Sequence, residues 1–149
     1  TGVLSVRAEN QPSLLDSEFV PVGRVGTLAI TSFDFCRSIG DTLNCVGETD
    51  DFNVNQEIHF KFVVETTTSY GQIQLVENYR VKDSEGNIIL NADTEDDFYF
   101  DLETDQKQEL VTMAEYFLIS NSGDYTLELI VKNPHLGKTT TITEGFSVE

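Results

Sequence analysis

The stretch Glu57-Ile58-His59-Phe60-Lys61-Phe62-Val63-Val64-Glu65 decides the fold class. Ile58, Phe60, Phe62 and Val64 fall on one side of an extended chain. Glu57, His59, Lys61 and Glu65 fall on the other, and Val63 is the one exception. Successive side chains of a strand point to opposite faces, so this alternation predicts a strand with one buried and one wet face. Tyr125, Leu127, Leu129 and Val131 repeat the pattern against Thr126, Glu128 and Lys132. Shorter runs follow the same rule: Ile73 and Leu75 against Gln72 and Gln74, then Phe98, Phe100 and Leu102. Leu28 and Ile30 lead through Phe33 and Phe35 to Cys36, and Ile142, Phe146 and Val148 close the chain across an interruption at Gly145. In the run that begins at Ile73 the phase slips near Glu77-Asn78, which predicts a bulge there.

Turn chemistry separates these runs. Thr66 to Gly71 is polar, Asp83-Ser84-Glu85-Gly86-Asn87 sets Val81 against Ile88 and Leu90 as a hairpin, and Asn133-Pro134-His135-Leu136-Gly137 precedes a Thr-rich last strand. Gln106 to Ile119 is the ambiguous segment. Leu110, Met113, Ala114 and Phe117 would stripe a short helix, whereas Val111, Met113, Phe117 and Ile119 nearly fill a strand face, and a strand is the favoured reading. About seven to nine strands with turns between them predict an all-β, antiparallel sandwich. No repeat or linker divides the chain, so residues 25–149 form the sandwich domain and residues 1–24 an N-terminal arm.

One local motif narrows the class. Asn121-Ser122-Gly123-Asp124-Tyr125-Thr126-Leu127 resembles the immunoglobulin-like signature in which Asp, Gly, Tyr and Cys sit at alternate positions, with Asn121, Gly123, Tyr125 and Leu127 in those places. The resemblance implies a turn that needs Gly, and a Tyr whose ring packs inward while its hydroxyl bonds back to the backbone. Leu127 stands where antibody domains carry the inter-sheet Cys, and the chain has no Trp. The similarity is therefore to the broad immunoglobulin-like or fibronectin-type sandwich class, common among secreted surface modules.

Charge excludes several functions. Nine Lys and Arg stand against 26 Asp and Glu, a formal charge of −17 over 149 residues. Nucleic-acid binding and docking on an anionic membrane both need clustered basic residues. No run of apolar residues is long enough for a transmembrane helix. Neither a phosphate loop, a dinucleotide fingerprint, a nucleophile elbow nor a zinc-spaced Cys/His set occurs. Nothing selects two of the 26 acids as a glycosidase pair, so no catalytic residue is assigned and the chain is expected not to be an enzyme.

Cys36 and Cys45 flank Arg37 to Asn44, where Gly-Asp and Asn supply turn chemistry that brings the two within bridging distance. A disulfide, and with it an extracellular setting, is favoured over two buried free thiols. An opening of Thr1-Gly2-Val3 fits a mature secreted protein as well as an expression fragment. Acidic side chains crowd at Asp93, Glu95, Asp96, Asp97, Asp101, Glu103 and Asp105, and again at Glu48, Asp50 and Asp51. Asp93, Glu95, Asp96 and Asp97 are the candidate calcium ligands in a sandwich loop; the plainer reading is a solvated acidic edge that resists edge pairing. His59 and His135 read as surface residues. The Thr/Ser runs 66–69 and 139–141 are candidate O-glycan sites, and the chain has no N-glycosylation sequon.

The amino-terminal arm is the most informative segment for function. Val3-Leu4-Ser5-Val6-Arg7-Ala8 is strand-like, and a terminal arm stays ordered only when tied down. It can pair with its own sheet as an extra edge strand, or add to the sheet of a neighbouring copy with Val3, Leu4, Val6 and Ala8 at the interface. Donation of that kind does not close on itself and generates a homopolymer. The expectation is a secreted structural or adhesive cell-surface protein, a subunit of a pilus-like extracellular filament, with any surface or glycan ligand unidentified. The alternative is a calcium-dependent or carbohydrate-binding accessory module.

Overall fold

The structure, a computed structural model, describes residues 2–8, 26–92 and 98–149. Eleven strands are present among them: β1 (Gly2–Ala8), β2 (Leu28–Ile39), β3 (Cys45–Glu48), β4 (Asp51–Phe52), β5 (Glu57–Thr67), β6 (Gln72–Asp83), β7 (Ile88–Ala92), β8 (Phe98–Glu103), β9 (Gln108–Leu118), β10 (Gly123–Asn133) and β11 (Lys138–Val148). One sheet runs β1-β9-β5-β2-β3. The other runs β4-β11-β10-β6, and β7 and β8 share the outer edge of β6, β8 against Gln72–Glu77 and β7 against Tyr79–Lys82. All pairings are antiparallel except that of β4 with β11. The count exceeds seven to nine because β3 and β4 are short and one long edge is served by two strands.

Each long strand buries the residues its alternation predicts. Ile58, Phe60, Phe62 and Val64 of β5 are fully buried, as are Leu127, Leu129 and Val131 of β10. Aromatic rings stitch the sheets together: Tyr79 lies 5.8 Å from Phe117, Phe60 lies 5.3 Å from Tyr79, and Phe35 lies 5.2 Å from Phe146. These contacts place β6 across from β9 and β11 across from β2. The ambiguous segment is strand β9, because Val111, Met113 and Phe117 face the core at period two while Tyr116 and Leu118 are exposed.

The bulge lies elsewhere than expected. β6 pairs with β10 without a register shift from Val76 to Asp83, and with β8 from Gln72 to Glu77. Its alternation does not slip at Glu77-Asn78: Ile73, Leu75, Glu77, Tyr79 and Val81 all occupy the inner face, so a carboxylate stands in an apolar place. Besides shifts between Val3 and Ser5 of β1 and between Val81 and Lys82 where β6 meets β7, a register shift lies in β2, between Ile30 and Ser32. It moves the inward positions from Leu28 and Ile30 to Phe33 and Phe35, which an unbroken strand could not present together.

Two turns are anchored by polar side chains, one at the surface and one in the core. The Asp83–Asn87 turn holds Val81 opposite Leu90 and Lys82 opposite Ile88, and the Asp83 carboxylate accepts hydrogen bonds from the backbone N–H of Glu85 and Asn87, both at 2.9 Å. In the last turn Asn133 is fully buried. Its Nδ2 donates to Thr66 Oγ1 at 2.9 Å and its Oδ1 accepts the Leu136 N–H at 3.2 Å, tying this turn to the end of β5. Cys36 and Cys45 form a disulfide between β2 and β3, with Cα atoms 5.5 Å apart. Leu43 folds inward at the tip of that loop with φ 62°, and Lys61 Nζ donates to its carbonyl at 2.7 Å.

Candidate functional site

β9 has two edges. One is paired with β5 along its whole length, from Gln108 opposite Thr67 to Leu118 opposite Glu57. The other is covered by β1 only from Glu109 to Ala114; among the described residues no strand pairs with Glu115–Leu118 on that side. Val3 stands opposite Met113, Val6 opposite Val111 and Ala8 opposite Glu109, all three core-facing positions of β9. Leu4 falls at the register irregularity between Val3 and Ser5. Of the two arrangements open to the arm, this single chain displays pairing with its own sheet. Among the described residues β1 pairs as a strand with β9 and with no other.

Beneath that track the core is not apolar. Glu115 interrupts the inner face of β9 between Met113 and Phe117, as Glu77 interrupts β6 between Leu75 and Tyr79. Both side chains are enclosed, Glu77 at 2% and Glu115 at 5% exposure. They come close enough across the sheets to bear on each other's ionisation, and a proton on one lets it donate to the other. Glu77 Oε2 and Glu115 Oε1 have no other partner among the described residues. Burial disfavours the charged form and holds Glu77 well above the usual carboxylate range, reinforced by the charge of Glu115. Burial likewise pushes Glu115 up to about 6, and the positive charge of the amino terminus opposes the shift on both. A third inward carboxylate, Glu109, accepts a hydrogen bond from Thr104 Oγ1. The sequence carried the signal as two gaps in otherwise regular strand faces, but nothing local said that the gaps lie opposite one another.

The remaining candidates are dispersed. Asp93, Glu95, Asp96 and Asp97 lie outside the described residues. Glu48 sits with Asp34, Asp50 and Glu144 in a shallow cleft floored by Phe33 and Phe35, and a hydrogen bond with Asp34 together with its charge raises the Glu48 pKa. Asp51 belongs to β4, where Ser147 Oγ hydrogen-bonds its carboxylate. Among the described residues no three His, Cys, Asp or Glu side chains converge on a metal position. His59 rests on Tyr116 with ring centroids 5.1 Å apart and bonds Glu57 at 2.9 Å on the wet face of its sheet. No helix of the described residues is long and apolar enough to cross a membrane.

The Asn121–Leu127 motif has the geometry its residues imply. The Tyr125 hydroxyl donates to the Asn121 carbonyl at 2.7 Å, and its ring stacks on Phe146 at 5.6 Å. Gly123 adopts φ 153°, where a side chain would be strained, and Leu127 fills the buried position with no exposed surface.

No family model and no curated protein matches the chain. Solved structures do. The CARDB domain of a Pyrococcus furiosus protein, in complex with di-metal ions, is 11% identical with a TM-score of 0.50, covering 93% of this chain and 100% of that domain. A Pseudomonas fluorescens alkylpurine DNA glycosylase bound to DNA containing an abasic site analog is 15% identical, with a TM-score of 0.49 over 82% of this chain, which spans only 30% of the glycosylase's length. A conjugative transposon lipoprotein from Bacteroides eggerthii is 9% identical, with a TM-score of 0.39 over 81% of this chain and 95% of that one. At such identities the likeness concerns the fold, a β-sandwich domain.

Proposed function

We propose that this chain is a secreted structural or adhesive surface protein, the subunit of a pilus-like filament in which β1 of one copy occupies the β9 track of the next. The observation that carries the reading is the placement of β1: an edge strand bonded to one neighbour through six residue pairs and joined to the rest of the chain by residues 9–25. A tether of that length reaches roughly 55 Å at full extension. An edge strand exchanged between identical copies regains the same ladder bonds. The Tyr125–Asn121 bond supports an immunoglobulin-like assignment of the sandwich. The disulfide supports an oxidising compartment.

Electron microscopy of the purified protein tests this directly, with fibres expected from the intact chain and none after deletion of residues 1–10. Fibres from the truncated chain, or an intact chain that stays monomeric in all conditions, would overturn it. Paired cysteines at Val3 and Met113, which face each other in register, should cross-link between copies in fibres and within one copy in monomer. The rival reading, a calcium-dependent or carbohydrate-binding module, draws on the acidic segment around Asp96 and Asp97 and on the likeness to a domain holding metal ions. It requires a rise in Tm with millimolar calcium that is lost in the D96N/D97N variant.

A further inference from the structure

We propose that Glu77 and Glu115 form a proton-sharing latch beneath the β1 track: with the shared proton in place the edge is closed, and its loss loosens β1 from β9. The pair sits between the sheets, one carboxyl from β6 and one from β9, both enclosed and each with an oxygen that no other described group satisfies. One proton lets one carboxyl donate to the other. With that proton gone, two like charges face each other in a medium that screens them poorly, and the repulsion acts to part β6 from β9.

The surroundings offer little relief. In register beside Glu77 stand Val131 of β10 and Phe98 of β8; beside Glu115 stands Phe60 of β5. Along the same faces lie Leu75 and Tyr79 on β6 and Met113 and Phe117 on β9. Tyr79 is the titratable side chain among these. Arg80 and Glu128 pair with each other at 3.5 Å at positions that alternate with the inward ones, and Glu109 is six residues further along β9. The positive charge of the amino terminus favours ionisation of both carboxyls but does not outweigh their burial.

Position determines which part of the fold yields. Glu115 is the first residue of β9 beyond the rung that pairs Ala114 with Gly2, so the strain is delivered at the end of β1. β9 is backed by β5 and β6 by β10; among the described residues the edge strands beside the pair, β1 and β8, each have one partner, and Glu115 stands at the end of the β1 ladder. An edge strand bonded on one side opens at a lower free energy than the strands behind it. Only the consequence for assembly rests on the strand-donation reading: rising pH would free β1 and its track together, which is the condition for exchange between copies.

Hydrogen exchange on the full chain tests the latch. After correction for intrinsic exchange rates, protection of the β1 amides and of residues 109–114 should fall at least about tenfold between pH 5 and pH 8. In the E77Q/E115Q variant it should be independent of pH, while E109Q should keep the wild-type dependence. An unchanged wild-type protection, or the same fall in the double variant, overturns the latch. Carboxyl infrared bands of the wild-type protein give a second measure that needs no variant: a protonated carboxyl persisting near pH 6 is expected, and its absence overturns the idea. Electron microscopy over the same pH series separates the two readings. Fibres absent at every pH while protection still responds to pH would sink strand donation and leave the latch, whereas fibres with pH-independent protection would do the reverse.

Discussion

Replacing Glu77 or Glu115 by Gln removes a buried charge at almost constant shape, so each substitution is expected to stabilise the protein at neutral pH. The sign follows from linkage. A carboxyl whose pKa is raised by folding binds its proton more tightly in the folded state, so its contribution is most favourable below the unfolded value. Stability is lost as pH climbs through the folded one. For Glu115 the interval runs from about 4.5 to about 6, worth roughly 2 kcal/mol. Thermal melts of wild type should therefore show Tm falling across pH 5–7, and those of the E77Q/E115Q variant a flatter profile. Asp83 acts in the opposite sense: its carboxylate is held below its ordinary pKa by the Asn87 N–H, so this contribution fades as pH falls through the folded value. Asn133 is the polar residue whose loss should cost most. Truncation to Ala leaves buried partners at Thr66 and Leu136, and a loss of about 1–3 kcal/mol in denaturant unfolding is expected.

At the scale of elements, the strands were readable wherever one face is apolar throughout. β5 and β10 satisfy that condition: the inward residues their alternation names are buried, and Ile130 and Thr67 are buried in addition. β2, β6 and β9 each contain a departure, and a departure in a one-dimensional pattern has two explanations. An added residue shifts the phase, as at Ile30–Ser32. A polar residue in an apolar place leaves the phase intact, as at Glu77 and Glu115. Only the partner strand distinguishes them, because register is a relation between two segments. The β2–β3 disulfide closes a loop short enough that its removal by paired Cys36→Ser and Cys45→Ser substitutions should cost about 2–3 kcal/mol. Denaturant midpoints with and without reductant check this. The effect should be confined to stability, since Phe35 and Phe52 hold this end of the core independently.

At the scale of the whole molecule, a charge of −17 on a chain of 149 residues opposes any self-association. Screening lengths fall from about 30 Å at 0.01 M to about 10 Å at 0.1 M ionic strength. Fibre formation is accordingly expected to accelerate steeply over that range, and light scattering against sodium chloride concentration measures it. Assembly equally fast at both ends would mean that contacts between copies avoid the acidic surface. Calcium that acts only at the level of its ionic strength would indicate screening, whereas an excess effect would favour the module reading.

By itself the sequence determined the all-β class, the inward residues of its regular strands, the turns at Asp83–Asn87 and Asn133–Gly137, and the pairing of its two cysteines. Each of these follows from local periodicity or turn chemistry. Only the tertiary structure matches β1 in register to β9, divides one edge between β7 and β8, and brings two isolated carboxyls together in the core. Glu77 and Glu115 are far apart along the chain and lie in different sheets. Neither carries any mark of the other, because only the stacking of one sheet on the other brings them to a single place.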